Sequence, residues 1–107
     1  TRLWLGVNEI ISVLPLKNLT GLTHLDLFKN QITNILPLQS LSSMEYLDLG
    51  SNSIKTVLPL QSLTHLQSLG IYNNPINKTD INALRKKLPN VVFKNCSTTG
   101  RFVSLEC

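Results

Sequence analysis

The chain has 107 residues, of which 42% are apolar and 15% charged, a composition that suits one domain and leaves no room for two. No stretch approaches the roughly 18 consecutive apolar residues of a transmembrane helix. Residues 1–9 also lack the apolar run of a signal peptide, so membrane insertion is not expected. The net charge of +4 arises entirely after residue 77, because the basic and acidic side chains before it cancel. A helix with a basic last turn accounts for most of this excess, and a nucleic-acid partner is therefore not expected.

One sequence pattern recurs along the chain in steps of 22 residues. It reads L-x-x-L-x-L-x-x-N-x-I over residues 22–32, with close copies over residues 44–54 and 66–76 and a truncated first copy containing Leu3, Leu5, Asn8 and Ile10. The pattern resembles the leucine-rich repeat family, in particular the 22-residue subclass of bacterial internalins and of a phosphatase-regulating protein of eukaryotic cells. The resemblance implies an α/β fold: a right-handed solenoid with a curved parallel β-sheet, a convex side of 3₁₀ and extended segments, and one C-terminal capping helix.

The segments between the predicted strands share the sequence Leu-Pro-Leu, at residues 14–16, 36–38 and 58–60. Proline at this position favours an extended or 3₁₀ turn over an α-helix. Three apolar columns are expected to point into one continuous core: Val13, Ile35 and Val57; Leu16, Leu38 and Leu60; Leu19, Leu41 and Leu63. A further column is expected to line the convex side as an exposed apolar stripe: Leu14, Leu36 and Leu58. The stripe is either a second contact surface or packing between adjacent segments, and packing is the preferred interpretation. We therefore assign four repeats to residues 1–76, the first of them truncated.

Residues 77–107 are predicted to form a C-terminal cap. The stretch 79–88 reads as an amphipathic α-helix with Thr79 as its N-cap, and Pro89 ends it. The 22-residue step then places a strand at residues 91–93, with Val91 in the column of Leu69. A helix followed by Leu-Pro and a short strand resembles the C-terminal caps of several leucine-rich repeat proteins, and a tail completes the cap.

An asparagine column follows the predicted strands and has a structural explanation. Its amides can satisfy backbone groups that stay unpaired where the chain turns, and its members are Asn8, Asn30, Asn52, Asn74 and, one step later, Cys96. Cys96 and Cys107 also fit a disulfide that closes a loop in an exported protein, so ladder position and bridge remain open alternatives. Two cysteines without paired histidines make a poor zinc site, and no metal is predicted.

Side chains between the inward leucines of each strand point out onto the predicted concave face. Four of the six aromatic residues of the chain lie there with a histidine and two acids, and the predicted partner-binding residues are Trp4, His24, Asp26, Phe28, Tyr46, Asp48 and Tyr72. Aromatic side chains beside a few charges are typical of protein-binding hot spots. The alternative is that large residues on adjacent strands stack to stabilise the sheet.

Two carboxylates on this face also raise the question of catalysis. Asp26 and Asp48 are expected about 4.8 Å apart, the spacing of adjacent strands, with His24 on the same side. Such a group can transfer protons or hold a metal. Aspartate between the two leucines is common in the resembling repeats, however, and an open face offers no enclosed pocket. The chain is therefore predicted not to be an enzyme and to need no cofactor.

The sequence predicts a protein–protein interaction module that binds a partner through its concave sheet, as a secreted, cell-surface or periplasmic recognition protein. The alternatives are an intracellular regulatory or scaffold subunit, and a structural fragment that assembles end to end. The chain is expected to be a monomer or to self-associate weakly through its uncapped N-terminal rung.

Overall fold

A computed structural model describes residues 1–94 of the chain. Five short strands form one parallel sheet in sequence order, and they are β1 (Arg2–Trp4), β2 (His24–Asp26), β3 (Tyr46–Asp48), β4 (Ser68–Gly70) and β5 (Val92–Phe93). Because strands adjacent in sequence are adjacent in the sheet, each connecting segment advances the chain by one strand, as in a solenoid. The predicted α/β solenoid with a parallel sheet is confirmed.

The register of the sheet follows the 22-residue step up to β4 and then departs from it. Leu25 pairs with Leu47, which pairs with Leu69. Leu69 then pairs with Phe93, so the prediction that Val91 occupies this place was wrong by two residues. The connection through the helix is longer than the others by those two residues. A shift of two preserves the alternation of side chains, so Phe93 still packs on the core while Val92 points out.

Short 3₁₀ segments connect the first four strands on the opposite side, at Leu14–Leu16, Leu36–Ser40 and Leu58–Ser62. Each has proline in its first turn, where the missing N–H would have no partner in any case. With three residues per turn, the columns of Val13 and Leu16 face inward and the two residues between them, Leu14 and Pro15, face out. The column of Leu14, Leu36 and Leu58 lies on this convex side as an exposed apolar stripe, with exposed fractions of 56%, 51% and 40%.

The core is one apolar column that runs under the whole sheet. In its middle rungs, a rung being one repeat with its strand, the core is fully buried: Leu27, Leu49 and Ile71 are inaccessible to solvent. The predicted inward column of Leu19 is only partly correct, because Leu41 and Leu63 are buried while Leu19 is 44% exposed. Leu19 belongs to the first connecting segment and has a neighbouring segment on one side only, which explains its exposure.

The fourth connection contains the α-helix α1 (Lys78–Lys87). Its N-cap is Asn77, whose side chain accepts a hydrogen bond from the Thr79 N–H at 2.7 Å, so the prediction of Thr79 as the cap was wrong. Asn is at least as good an N-cap as Thr, and the extended backbone of Asn77 places its oxygen over the first turn. Ile81 and Leu84 are buried against the core. Across residues 1–94, no helix has the length and apolar character to cross a membrane.

Candidate functional site

The outward side chains of the five strands, and of the residues that directly follow them, form a surface that we call the sheet face. Strand pairing aligns them in three rows that run across the sheet. The first row contains Arg2, His24, Tyr46, Ser68 and Val92; the second contains Trp4, Asp26, Asp48, Gly70 and Lys94; the third contains Gly6, Phe28, Gly50 and Tyr72. All seven residues predicted to bind a partner therefore lie on one surface.

A stacked aromatic pair occupies the first row. The rings of His24 and Tyr46 lie with their centroids 4.3 Å apart. The Tyr46 hydroxyl donates to the side-chain oxygen of Gln67 at 2.9 Å, and the Thr23 hydroxyl lies 2.9 Å from His24 Nδ1. Both rings are thus held at their edges as well as by stacking, yet Tyr46 remains 39% exposed.

A second aromatic pair in the third row depends on a glycine. Phe28 and Tyr72 come from rungs on either side of Gly50, and their ring centroids are 6.0 Å apart. A Cβ atom at residue 50 would overlap the Tyr72 ring, so the missing side chain is what lets the ring lie across the sheet. Both aromatic residues are half-buried. The stacking that sequence reasoning treated as an alternative to binding is therefore present in both pairs.

Asp26 and Asp48, which we call the acid pair, lie between the two aromatic pairs in the second row. The Oδ1 atom of Asp26 accepts from the Phe28 N–H, and that of Asp48 accepts from the Gly50 N–H, each at 2.9 Å. Each carboxylate therefore caps the turn that follows its own strand. Gly70 lies beside Asp48 in the row, and a Cβ there would come within 2.9 Å of Asp48 Oδ1.

Burial raises the pKa of Asp48 above its ordinary value of 3.8, and the negative charge of Asp26 raises it further. The hydrogen bond from Gly50 and the charge of Lys94 act in the opposite direction without cancelling these effects. The native protein therefore binds this proton more tightly than the unfolded chain does. Between the two pKa values the stability falls as the pH rises, and above the folded-state pKa the full cost of the buried charge is present.

Asp48→Asn should therefore stabilise the protein at neutral pH. The amide oxygen of the new side chain can still accept from Gly50, while the buried charge and its repulsion from Asp26 are removed. Urea unfolding at a series of pH values from about 3.5 to about 7 should show the largest gain at neutral pH and a shrinking gain toward acid. Glu9→Gln, at an exposed acid away from the acid pair, is the control. A loss of stability in Asp48→Asn at neutral pH would contradict the assignment.

A groove of about 280 Å³ opens on the sheet face at the acid pair, and it is lined by Trp4, His24, Leu25, Asp26, Tyr46, Leu47, Asp48, Ser68 and Lys94. Sequence reasoning did not select Ser68 or Lys94. Ser68 is only 8% exposed, and its hydroxyl has no hydrogen-bond partner among residues 1–94. The sequence does contain a signal for this groove: the outward residues 68 and 70 of β4 are small, whereas their neighbours on β3 are larger, so the surface is lower at β4.

The asparagine column joins successive rungs below this face. The amide nitrogens of Asn30, Asn52 and Asn74 each donate to carbonyls of their own rung and of the preceding one, and their oxygens accept a backbone N–H of the preceding rung. Asn8 is exposed, and within residues 1–94 its side chain bonds only the carbonyls of Leu5 and Gly6. The last member of the predicted column, Cys96, and its possible partner Cys107 lie outside the described residues.

The residue before each asparagine has a left-handed backbone that sequence reasoning missed. The φ angles are between 56° and 59° at Val7, Lys29, Ser51 and Asn73. This conformation costs a non-glycine residue roughly 1–2 kcal/mol. The asparagine bonds and the cross-rung bonds, such as Val7 N–H to Phe28 carbonyl at 2.7 Å, compensate for it.

Sequence comparison agrees with this architecture. Profiles of the leucine-rich repeat family match residues 21–42, described as Leucine Rich Repeat, and residues 42–86, described as Leucine Rich repeats in two copies. The chain belongs to the leucine-rich repeat family. No match was found among curated protein sequences. Leucine-rich repeat proteins are typically non-enzymatic modules that bind other proteins through an extended surface.

Solved structures of this repeat family superpose on the chain. An internalin (inlF) of Listeria monocytogenes has a TM-score of 0.81 and 34% identity, covering 86% of this chain and 27% of that one. Internalin C2 of the same species has a TM-score of 0.74 and 39% identity, covering 79% and 36%. The leucine-rich repeat ectodomain of a receptor kinase of Arabidopsis thaliana has a TM-score of 0.65 and 25% identity, covering 85% and 52%. The chain thus spans about a quarter to a half of the length of these proteins.

Proposed function

We propose that this chain is a recognition module that binds a partner protein through the sheet face. The observation that carries the proposal is the pair of exposed aromatic side chains beside the groove: Trp4 is 62% exposed and Tyr46 is 39% exposed. Large aromatic side chains left accessible on a surface are enriched at binding hot spots. Single exposed leucines on the opposite side do not have this combination of aromatic and charged groups.

The contacts within the sheet face favour binding, because they fix the side chains before a partner arrives. Tyr46 is held by the His24 ring and by Gln67, so little conformational entropy is left for it to lose in a complex. Rigid aromatic anchors of this kind supply large contact area at low entropic cost. Stacking and binding are therefore compatible roles for these residues.

We further propose that the module acts outside the cytoplasm, as a secreted, cell-surface or periplasmic protein. The likeness to an ectodomain of a receptor kinase supports this location. An intracellular regulatory subunit is the alternative, and the oxidation state of Cys96 and Cys107 in the protein isolated from its source distinguishes the two. A bridge between them supports the proposed location, whereas free thiols support the alternative.

Tyr46→Ala should weaken binding of a partner by about 1 to 2 kcal/mol, as is typical when a well-packed aromatic anchor is truncated. The immobilised protein is used to capture a partner from the extracellular fraction of its source, and the affinity of the purified pair is then measured by calorimetry. Trp4→Ala, at the other end of the groove, should act in the same direction. Circular dichroism should show that both variants remain folded.

Leu36→Ala is the matched control, because it removes exposed apolar surface from the opposite side of the solenoid. It should leave the affinity unchanged. If the control weakens binding while both sheet-face variants bind normally, the partner docks on the 3₁₀ side and the proposed site is wrong.

A further inference from the structure

The acid pair is bordered by aromatic rings on three sides. Trp4 lies in the same row as the acid pair, next to Asp26. His24 and Tyr46 lie in the first row, and Phe28 and Tyr72 lie in the third. The faces of aromatic rings attract cations, as carboxylates do, and neither attracts an anion. The chemistry of this part of the sheet face therefore selects a positively charged group.

The groove also holds acceptors that are not used within the described chain. In each carboxylate of the acid pair, one oxygen accepts a hydrogen bond from a backbone N–H. The second oxygen of each carboxylate accepts no hydrogen bond from residues 1–94. Ser68 lines the same groove with a hydroxyl that is buried and has no partner in that range. A buried polar group without a partner is costly, and a donor that reaches it removes the cost.

The cations that residues 1–94 place near the acid pair do not neutralise it. Lys94 lies at the β5 end of the groove and acts on Asp48, yet burial and the charge of Asp26 together still raise the pKa of Asp48. Arg2 lies in the first row at the β1 edge of the sheet, and it does not line the groove. A cation inserted between the two carboxylates would relieve their repulsion directly.

The size and shape of the groove suit the binding of a single side chain from a partner. Its volume of about 280 Å³ is at or below the lower end of the range for small-molecule pockets, and it is open to solvent along the sheet. A guanidinium is planar, stacks on aromatic rings and can donate to several oxygens at once, whereas a lysine ammonium is a compact and strongly hydrated charge. We infer that the groove binds an arginine side chain of the partner protein, held by the acid pair and stacked against Tyr46. This inference rests on the proposed function, because it names the chemistry of the partner at the same site.

The test is a titration of the isotopically labelled full chain with N-acetyl-arginine amide, followed by nuclear magnetic resonance. The amides of residues 24–28 and 46–50 should shift and saturate. The matched probe is N-acetyl-citrulline amide, which has nearly the same shape without the charge, and it should bind at least about tenfold more weakly. Equal affinities for the two probes, or arginine-dependent shifts confined to other parts of the chain, would overturn the inference.

Variants assign the effect to the groove. The double substitution Asp26→Asn with Asp48→Asn keeps both turn-capping oxygens and removes both charges, and it should lower the affinity for the arginine probe at least about tenfold. Glu9→Gln removes an acid outside the groove and should leave the affinity unchanged. Lys94→Gln removes the competing cation and should increase it. A double variant that binds as tightly as the original protein would show that the acid pair is not the site.

The inference and the proposed function can fail separately. If Trp4→Ala and Tyr46→Ala weaken the captured partner while the double asparagine variant binds that partner and the arginine probe normally, the sheet face binds by different chemistry. The arginine inference is then overturned and the proposed function stands. If both aromatic variants bind the partner with unchanged affinity, the proposed function itself is wrong.

Discussion

Asn52→Leu should lower the free energy of unfolding by about 3 kcal/mol, the upper end of the cost of leaving a buried backbone group unpaired. Asn52 joins two rungs in the middle of the solenoid. Its oxygen accepts the Ile32 N–H at 3.0 Å, and its nitrogen donates to the carbonyls of Leu27 and Leu49, also at 3.0 Å. Leucine has a similar volume and can make none of these bonds. Chemical unfolding measured by circular dichroism gives the difference.

The main cost falls on one N–H group. The carbonyl oxygen of Leu27 also accepts from Asn30, and that of Leu49 also accepts from Asn74, so each keeps a partner in the variant. The Ile32 N–H makes its bond to Asn52 alone among residues 1–94, and the Ile32 side chain is inaccessible to solvent. Water cannot easily replace the lost acceptor at this depth.

Two controls separate this effect from a general sensitivity of the loop. Asn8→Leu makes the same change in the first rung, where the side chain is exposed and accepts no N–H of a preceding rung, and it should cost less than about 1 kcal/mol. Ser53→Ala, at an exposed neighbour, should cost even less. Equal losses at residues 8 and 52 would show that the bond to Ile32 is not what stabilises the turn.

The sequence was sufficient to predict the repeating part of the fold, because the repeat step acts on every rung in the same way. Once Leu25, Leu47 and Leu69 were aligned, the alternation of side chains along a strand determined which residues face the core and which face out. Proline in each connecting segment likewise indicated the 3₁₀ geometry. These inferences need only local rules applied at equal intervals.

The same arithmetic failed where the repeat changes. The connection that contains α1 is two residues longer, so Phe93 replaces Val91 in the register, and no local rule gives the length that a helix needs to return to the sheet. The sequence also predicted Thr79 as N-cap, whereas Asn77, two residues earlier, caps the helix; both residue types cap helices well, so residue type alone does not fix where the helix begins. The exposure of Leu19 depends on neighbouring segments, which a single-repeat pattern does not describe.

The candidate site was predictable as a set of residues but not as a set of contacts. Outward columns placed Trp4, Tyr46 and the acid pair on one surface. The overlap of the Tyr72 ring with the space above Gly50, and the burial of Ser68 behind larger neighbours, depend on side-chain conformations between rungs. Lys94 entered the groove through the two-residue shift of β5, which aligns it with Gly70.

The acid pair has two opposing effects, one on the stability of the protein and one on its attraction for a cation. A partly buried Asp48 lowers stability at neutral pH, because burial and its neighbour Asp26 both disfavour the charged form. The same features make the groove attractive to a cation. Binding sites commonly retain such destabilising arrangements, and the uniform core beneath the sheet supplies the stability that compensates for them.

That core offers a series of chemically identical side chains that differ only in their neighbours. Leu5, Leu27 and Leu49 occupy the same position on successive rungs. Leu27 and Leu49 are inaccessible to solvent, whereas Leu5 is only partly buried against the core. In an array stabilised by contacts between adjacent repeats, a side chain covered on both sides loses more when it is truncated than one covered on a single side.

Leu49→Ala should therefore destabilise the protein by about 2–5 kcal/mol, because it removes buried methyl groups and leaves a cavity between two closed rungs. Leu27→Ala should cost a similar amount, and Leu5→Ala should cost less than about half as much, since its site is already open to water on one side. Urea unfolding of the three variants under one set of conditions gives the comparison. A loss at residue 5 as large as that at residue 49 would contradict the partial burial of the first rung, and it would mean that another surface covers Leu5 in solution.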